Sequence, residues 1–78
     1  MITGAQVRAA RALLNWSSAD LADRAGTARQ TIVRIEQIDG LPNSKIQTLV
    51  DIKRVIEFAG IEFIGTPENG AGVRFKPK

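Results

Sequence analysis

The segment 21–36, LADRAGTARQTIVRIE, constrains the fold more than any other part of this chain. Apolar residues with the spacing of a short helix stand on both sides of one glycine: Leu21, Ala22 and Ala25 before it, Ile32 and Ile35 after it. Gly26 has no Cβ atom, so it can turn the chain through a left-handed conformation. The segment therefore predicts two short helices joined by one tight turn.

The second of these helices carries polar side chains beside its apolar stripe. They are Arg29, Gln30, Thr31 and Arg34, and Val33 stands among them. Arginine, glutamine and threonine can reach base edges in a DNA major groove, and valine can contact a thymine methyl group. The alternative is a plain surface helix whose charges are only solvated. A helix-turn-helix is the simplest interpretation.

Length and composition limit the other possibilities. A chain of 78 residues makes one small domain, whose core is marginal unless something such as oligomerisation supplements it. It contains no cysteine and no histidine, so disulfides are excluded and the commonest metal ligand and general base are missing. No histidine can activate its serines. We therefore expect no metal, no cofactor and no enzymatic activity.

Charge and hydropathy indicate the compartment. The net charge of +3 favours polyanionic partners only weakly. No apolar run approaches the roughly 18 residues that span a bilayer. The N-terminal sequence MITGAQ also lacks a charged region followed by an apolar stretch. We expect a soluble, cytoplasmic protein without a membrane partner.

The helix starts carry capping signals, in which a hydroxyl residue is followed three positions later by an acidic or amide residue. The pairs are Thr3 and Gln6, Ser17 and Asp20, and Thr27 and Gln30. They predict helices over about 4–15, 18–25 and 29–37. Asn43 or Ser44 can cap a fourth helix, which Gly60 ends. The apolar residues of that helix are Ile46, Leu49, Val50, Val55, Ile56 and Ala59. Trp16, the only tryptophan, is more typical of a core plug than of a ligand platform.

Beyond Gly60 the apolar period changes from 3.6 to 2. The apolar residues there are Ile61, Phe63, Ile64, Val73 and Phe75. They predict two short strands joined by a mobile loop over residues 65–72. Because an isolated hairpin is marginal in water, the strands must cover the helices or pair with a second copy. We expect a homodimer built through residues 61–78. The alternative is that the strands only cover their own bundle and that dimers form on DNA alone.

The chain resembles the phage-repressor and Cro-like helix-turn-helix family, also called the xenobiotic-response-element (XRE) family of bacterial transcriptional regulators. The resemblance covers about residues 7–36. Its marks are Arg11, Leu21-Ala22, Ala25-Gly26, Gln30-Thr31-Ile32 and Ile35-Glu36. It implies a mainly α, four-to-five-helix, lambda-repressor-like DNA-binding bundle over residues 1–60. A short C-terminal β-hairpin over residues 61–78 takes the place of the fifth helix and forms the expected dimerisation extension.

The resemblance also implies the site residues. The residues projecting into the major groove would be Arg29, Gln30, Thr31 and Arg34. Ser18 stands where the family often has a glutamine that touches phosphate. Arg11 would pair with Glu36, and two charges near the interior are tolerable only if they satisfy each other. Ser44 and Lys45 either meet a phosphate at the start of helix four or form a plain solvated helix start.

Two classes of function fit this chain. The first is a sequence-specific, double-stranded DNA-binding transcriptional regulator, expected to be a repressor. The second is an antiactivator-like protein-interaction module on the same scaffold. The recognition face discriminates between them, because Arg29, Gln30 and Arg34 favour DNA, whereas an interaction module more often presents an apolar or acidic face. We therefore expect double-stranded DNA and a second copy of the chain as partners.

Overall fold

The computed structural model describes residues 1–77, so Lys78 of the expected hairpin segment lies outside the described residues. Helices and strands follow one another as α1 (Gly4–Leu14), α2 (Ser18–Ala25), α3 (Arg29–Glu36), α4 (Ile46–Phe58), β1 (Ile61–Thr66) and β2 (Asn69–Phe75). The predicted mainly α bundle with a C-terminal β-hairpin is confirmed. None of the helices in the described part of the chain has the length and apolarity needed to cross a membrane.

Local capping explains where α1 and α2 begin. The Thr3 hydroxyl accepts a hydrogen bond from the Gln6 amide, and the Gln6 side chain accepts one from the Thr3 amide. Ser17 and Asp20 form the same box in front of α2. Hydrogen bonding from the Ser17 backbone, and then from its side chain, holds the pKa of the Asp20 carboxyl below its ordinary value. Both predicted boxes are confirmed.

The start of α3 differs from the prediction. The expected capping box of Thr27 and Gln30 is wrong, because Ala28 occupies the N-cap position and no side chain caps the helix. Thr27 instead closes the preceding turn, where its amide donates to the carbonyl of Ala22 at 3.0 Å. Gly26 makes that turn with a φ of 69°, as its position predicts.

The start of α4 is also uncapped by any side chain. The predicted caps from Asn43 or Ser44 are wrong, because Lys45 occupies the N-cap position with extended backbone angles. Lysine offers no acceptor to the first amides of the helix. Both α3 and α4 therefore begin with amide groups that donate no hydrogen bond to a capping side chain.

The core lies between the four helices and one face of the hairpin. Its fully buried members are Val7, Ala10, Leu21, Ile32, Ile35, Ile52, Ile56 and Ile61. The buried face of α4 runs through Leu49, Ile52 and Ile56 at helical spacing. The predicted stripe is wrong at Ile46 and Ala59, which are exposed at the two ends of α4, and at Val50, which is exposed within it.

The hairpin is longer than predicted. Its strands pair in antiparallel register, with Ile61 opposite Phe75 and Phe63 opposite Val73. The predicted mobile loop over residues 65–72 is wrong, because most of it belongs to paired strand. Gly65 adopts a φ of 73°, next to a register shift that indicates a β-bulge. The positive φ of Gly65 and of Gly70 lets the two paired strands continue up to the tight turn between them.

Gln6 fixes the hairpin to α1. Its side-chain nitrogen donates to the carbonyl oxygens of Ile64 at 3.3 Å and Gly72 at 2.9 Å. Ile61, the first residue of β1, is fully buried among the helices. One side chain thus holds both strands on the bundle, and the hairpin completes the core of the domain.

Candidate nucleic-acid interface

The outward surface of α3 carries the side chains that the sequence singled out. Ile32 and Ile35 are buried and fix which side of α3 faces the core. The exposed residues are Arg29, Gln30 and Arg34, and the half-buried ones are Thr31 and Val33. The only carboxylate of α3 is Glu36, which is 8% exposed. The exposed surface of this helix is therefore cationic and polar, with no acidic group.

A groove separates α3 from the start of α4. It has a volume of about 300 Å³ and is lined by Thr27, Thr31, Arg34, Ser44, Lys45 and Thr48. The structure thus brings four predicted site residues together, two from each side. Ser18, Arg29, Gln30 and Val33 do not line it. The sequence reasoning missed Thr48, although a hydroxyl in the first turn of an uncapped helix was a possible signal.

The hydrogen-bond donors of the groove suit it to a phosphate group. The Ser44 hydroxyl is buried and has no hydrogen-bond partner within residues 1–77. The first amides of α4 have no side-chain cap, and the first turn contains no acidic residue. Uncapped amides and the helix dipole favour an anion, and Lys45 and Arg34 supply positive charge beside them. These groups match the oxygens of a DNA backbone.

An ion pair ties α1 to the end of α3. Arg11 donates through Nε to Oε2 of Glu36 at 2.9 Å and through Nη2 to Oε1 at 2.8 Å. Its Nη1 donates to the carbonyl of Trp16 at 3.0 Å. Hydrogen bonds to the Glu36 carboxylate raise the pKa of Arg11 above its ordinary value, against the opposing effect of burial. α3 is thereby held to α1 by a bidentate contact.

A second arginine of α1, which the sequence reasoning missed, holds the loop after α3. Arg8 donates to the backbone carbonyl of Glu36 and forms an ion pair with Asp39 at 2.8 Å. The amide of Gly4 donates to the Gly40 carbonyl at 2.9 Å. The loop therefore rests on the first turns of α1, which orients α3 from its C-terminal end.

Comparison with known proteins agrees with this geometry. The sequence model of a helix-turn-helix family matches residues 7–46, from the first half of α1 to the first residue of α4. The match includes the Arg11–Glu36 pair, all of α2 and α3, and the groove residues up to Lys45. No curated protein matches the chain.

Proposed function

Because the chain belongs to the Cro/repressor-like (XRE) helix-turn-helix family of DNA-binding regulators, we propose that it is a sequence-specific transcriptional repressor acting on double-stranded DNA in the cytoplasm. The family is one of regulators rather than enzymes. One observation carries the proposal: the exposed surface of α3 presents Arg29, Gln30 and Arg34 without an exposed carboxylate. A protein-interaction module more often presents an apolar or acidic surface at that place.

In this proposal, α3 reads base edges and its neighbours hold the backbone. Arg29, Gln30 and Arg34 have the donors and acceptors that distinguish base pairs in the major groove, with Thr31 and Val33 between them. The groove lined by Ser44 and Lys45 takes a phosphate. Ser18, half-buried in the first turn of α2, contributes a shorter donor to a neighbouring phosphate.

Replacing Gln30 or Arg34 with alanine is expected to weaken binding to the best duplex by about 1–3 kcal/mol and to relax its sequence preference. Lys45→Ala should weaken binding to all duplexes alike and lower the dependence on salt, because a phosphate contact releases counterions. Fluorescence anisotropy with a duplex selected from a random pool, and with a scrambled duplex, measures both effects.

Lys53→Ala is the matched control for these DNA titrations. Lys53 lies on α4, outside both the hairpin and the α3–α4 groove, so its loss removes the same charge outside the proposed DNA surface. This variant should bind both duplexes nearly as the parent does. If the Gln30, Arg34 and Lys45 variants all bound as tightly as the control, the proposed DNA surface would be wrong.

We further propose that the repressor is a homodimer joined through its hairpin. The longest extent of the domain is 30 Å, whereas half-sites on a palindromic operator lie about 34 Å apart. One domain therefore reads one half-site, and two domains side by side match that spacing. The hairpin offers an exposed Phe75 (57%) and Ile64 (37%), and each strand of a two-stranded ribbon keeps one unpaired edge.

The free protein is expected to sediment as a dimer at tens of micromolar, an estimate based on the affinity of an interface of modest size. Deleting the hairpin is a poor test, because Ile61 belongs to the core and Gln6 would lose both acceptors. Ile64→Lys with Phe75→Lys should instead give a folded monomer. Leu13→Lys, at an exposed apolar position on α1, should stay dimeric.

Two results would contradict the hairpin dimer. One is a parent protein that sediments as a monomer under the same conditions. The other is a dimer that persists in the doubly substituted hairpin while its melting curve shows a folded domain. The first result would leave the DNA titrations unaffected, so the two proposals fail separately.

A further inference from the structure

A second cleft lies between Trp16, the end of α2 and the C-terminal half of α4. It has a volume of about 620 Å³ and is lined by Trp16, Arg24, Arg54, Val55, Phe58 and Ala59. None of these residues lines the α3–α4 groove. Clefts of this size with aromatic and apolar walls and a few polar groups are typical of small-molecule sites.

The walls of this cleft are unusual for a free surface. Phe58 is 94% exposed, although it is unfavourable to leave a large aromatic side chain in water. Trp16 is half-buried, and the Arg24 guanidinium lies over its ring at 4.4 Å from the centroid. One aromatic ring is thus open to solvent, and the other is already in contact with a cation.

Neither arginine of the cleft forms a direct ion pair in the described part of the chain, although Arg24 lies close enough to Asp20 for its charge to help lower the pKa of that carboxyl. The carboxylates paired with arginine in the described part of the chain are those of Asp39, Glu36 and Glu62, and their partners are other arginines. Near the cleft, the Asp20 carboxylate accepts from the Ser17 amide, and Asp51 accepts from Gln47. Arg24 and Arg54 therefore keep donors for an outside anion.

We propose that this Trp16–Phe58 cleft binds a small aromatic carboxylate. The ligand ring packs against Phe58 beside the stacked Trp16 and Arg24, and its carboxylate accepts hydrogen bonds from Arg24 and Arg54. Stacked or edge-to-face aromatic contacts suit such walls, and guanidinium groups bind carboxylates with two parallel hydrogen bonds. The charge of the cleft selects an acid over a neutral aromatic compound. This ligand site does not depend on the proposed DNA contacts.

The position of the cleft connects it to the recognition helix. The carbonyl of Trp16 accepts a hydrogen bond from Arg11, whose other donors hold Glu36 at the end of α3. Arg24 lies two residues before the turn at Gly26 that leads into α3. A ligand that displaces Trp16 or Arg24 therefore acts on a group next to those that position α3.

Fluorescence of Trp16 tests the site directly, because it is the only tryptophan of the chain. The probe is phenylacetate, and phenethyl alcohol is its uncharged match. Saturable quenching by phenylacetate is expected with a dissociation constant on the order of 0.1–1 mM, as its few atoms allow. Phenethyl alcohol should bind at least about fivefold more weakly, because it cannot accept two hydrogen bonds from a guanidinium group.

Variants locate the ligand within the cleft. Arg54→Gln and Phe58→Ala change exposed residues, so both should fold as the parent does, and each should weaken phenylacetate binding about fivefold. Arg74→Gln, outside the cleft, should leave it unchanged. Melting curves of all three variants verify that they are folded.

Three outcomes would overturn the proposal. The first is no saturable quenching by phenylacetate at about ten times the expected constant. The second is equal binding of the acid and the alcohol, or equal binding by the cleft and control variants. The third is Trp16 emission that changes with protein concentration alone and loses this dependence in Phe58→Ala, because a second copy would then occupy the cleft.

Discussion

Replacing Gly4 with alanine is expected to lower the free energy of unfolding by about 3 kcal/mol, the upper part of the range for overpacking a well-packed site. A Cβ atom at this position would lie 1.9 Å from the Ile38 carbonyl oxygen and 2.3 Å from that of Ile35. Both neighbours are backbone atoms, so no side-chain rotation can relieve the overlap. The first turn of α1 would have to move away from the end of α3.

Gly40→Ala is the matched control, because it adds the same methyl group to the loop that contacts Gly4. Its Cβ would meet nothing within 4 Å, and its φ is not positive. Its melting temperature should stay close to that of the parent, whereas Gly4→Ala should melt at least about 8 °C lower. Equal melting of the two variants would show that the N-terminal turn can move freely.

Glu36→Ala is expected to cost a similar amount, on the order of 3 kcal/mol, since it leaves the Arg11 guanidinium partly buried without its carboxylate. Arg11 is 24% exposed and would keep only the Trp16 carbonyl as an acceptor. The substitution should first lower the free energy of unfolding. It should also weaken DNA binding, because the pair orients α3. Urea unfolding measures the first effect.

Glu62→Ala provides the comparison for this ion pair. Glu62 pairs with Arg74 on the outer face of the hairpin, where the two side chains are 37% and 56% exposed. Exposed pairs contribute about 0–1 kcal/mol, so this variant should unfold nearly as the parent does. If the two glutamate variants unfolded alike, the Arg11–Glu36 pair would have no special role. Replacing both members of that pair by apolar residues should recover part of the stability.

Local signals in the sequence predicted the early part of the fold well. The boxes at Thr3 and Ser17, like the Gly26 turn, depend on residues within a few positions of each other, so spacing alone identifies them. The same reasoning failed at Thr27, because its backbone amide closes the preceding turn and Ala28 occupies the N-cap position of α3. The outward-facing residues of α3 were likewise predictable, since Ile32 and Ile35 determine which side of the helix is buried.

Features that depend on distant parts of the chain could not be predicted. In the sequence, Gly4 is an ordinary first residue of a helix. Its close approach to other backbone atoms becomes visible only when α3 and the following loop are placed against it. Phe58 lies outside the apolar stripe predicted for α4, but only the packed structure shows that it is exposed on the wall of a cleft. The α3–α4 groove was unpredictable for the same reason, because Thr31 and Ser44 line it from separate parts of the chain.

The contact of Gln6 with the hairpin has a consequence for the synthesis of this protein. Its acceptors on Ile64 and Gly72 lie 58 and 66 positions further along the chain. A nascent chain can form α2 and α3 early, but the Gln6 side-chain amide has only water as an acceptor until both strands have emerged. The finished domain therefore assembles only after both strands of the hairpin have been synthesised.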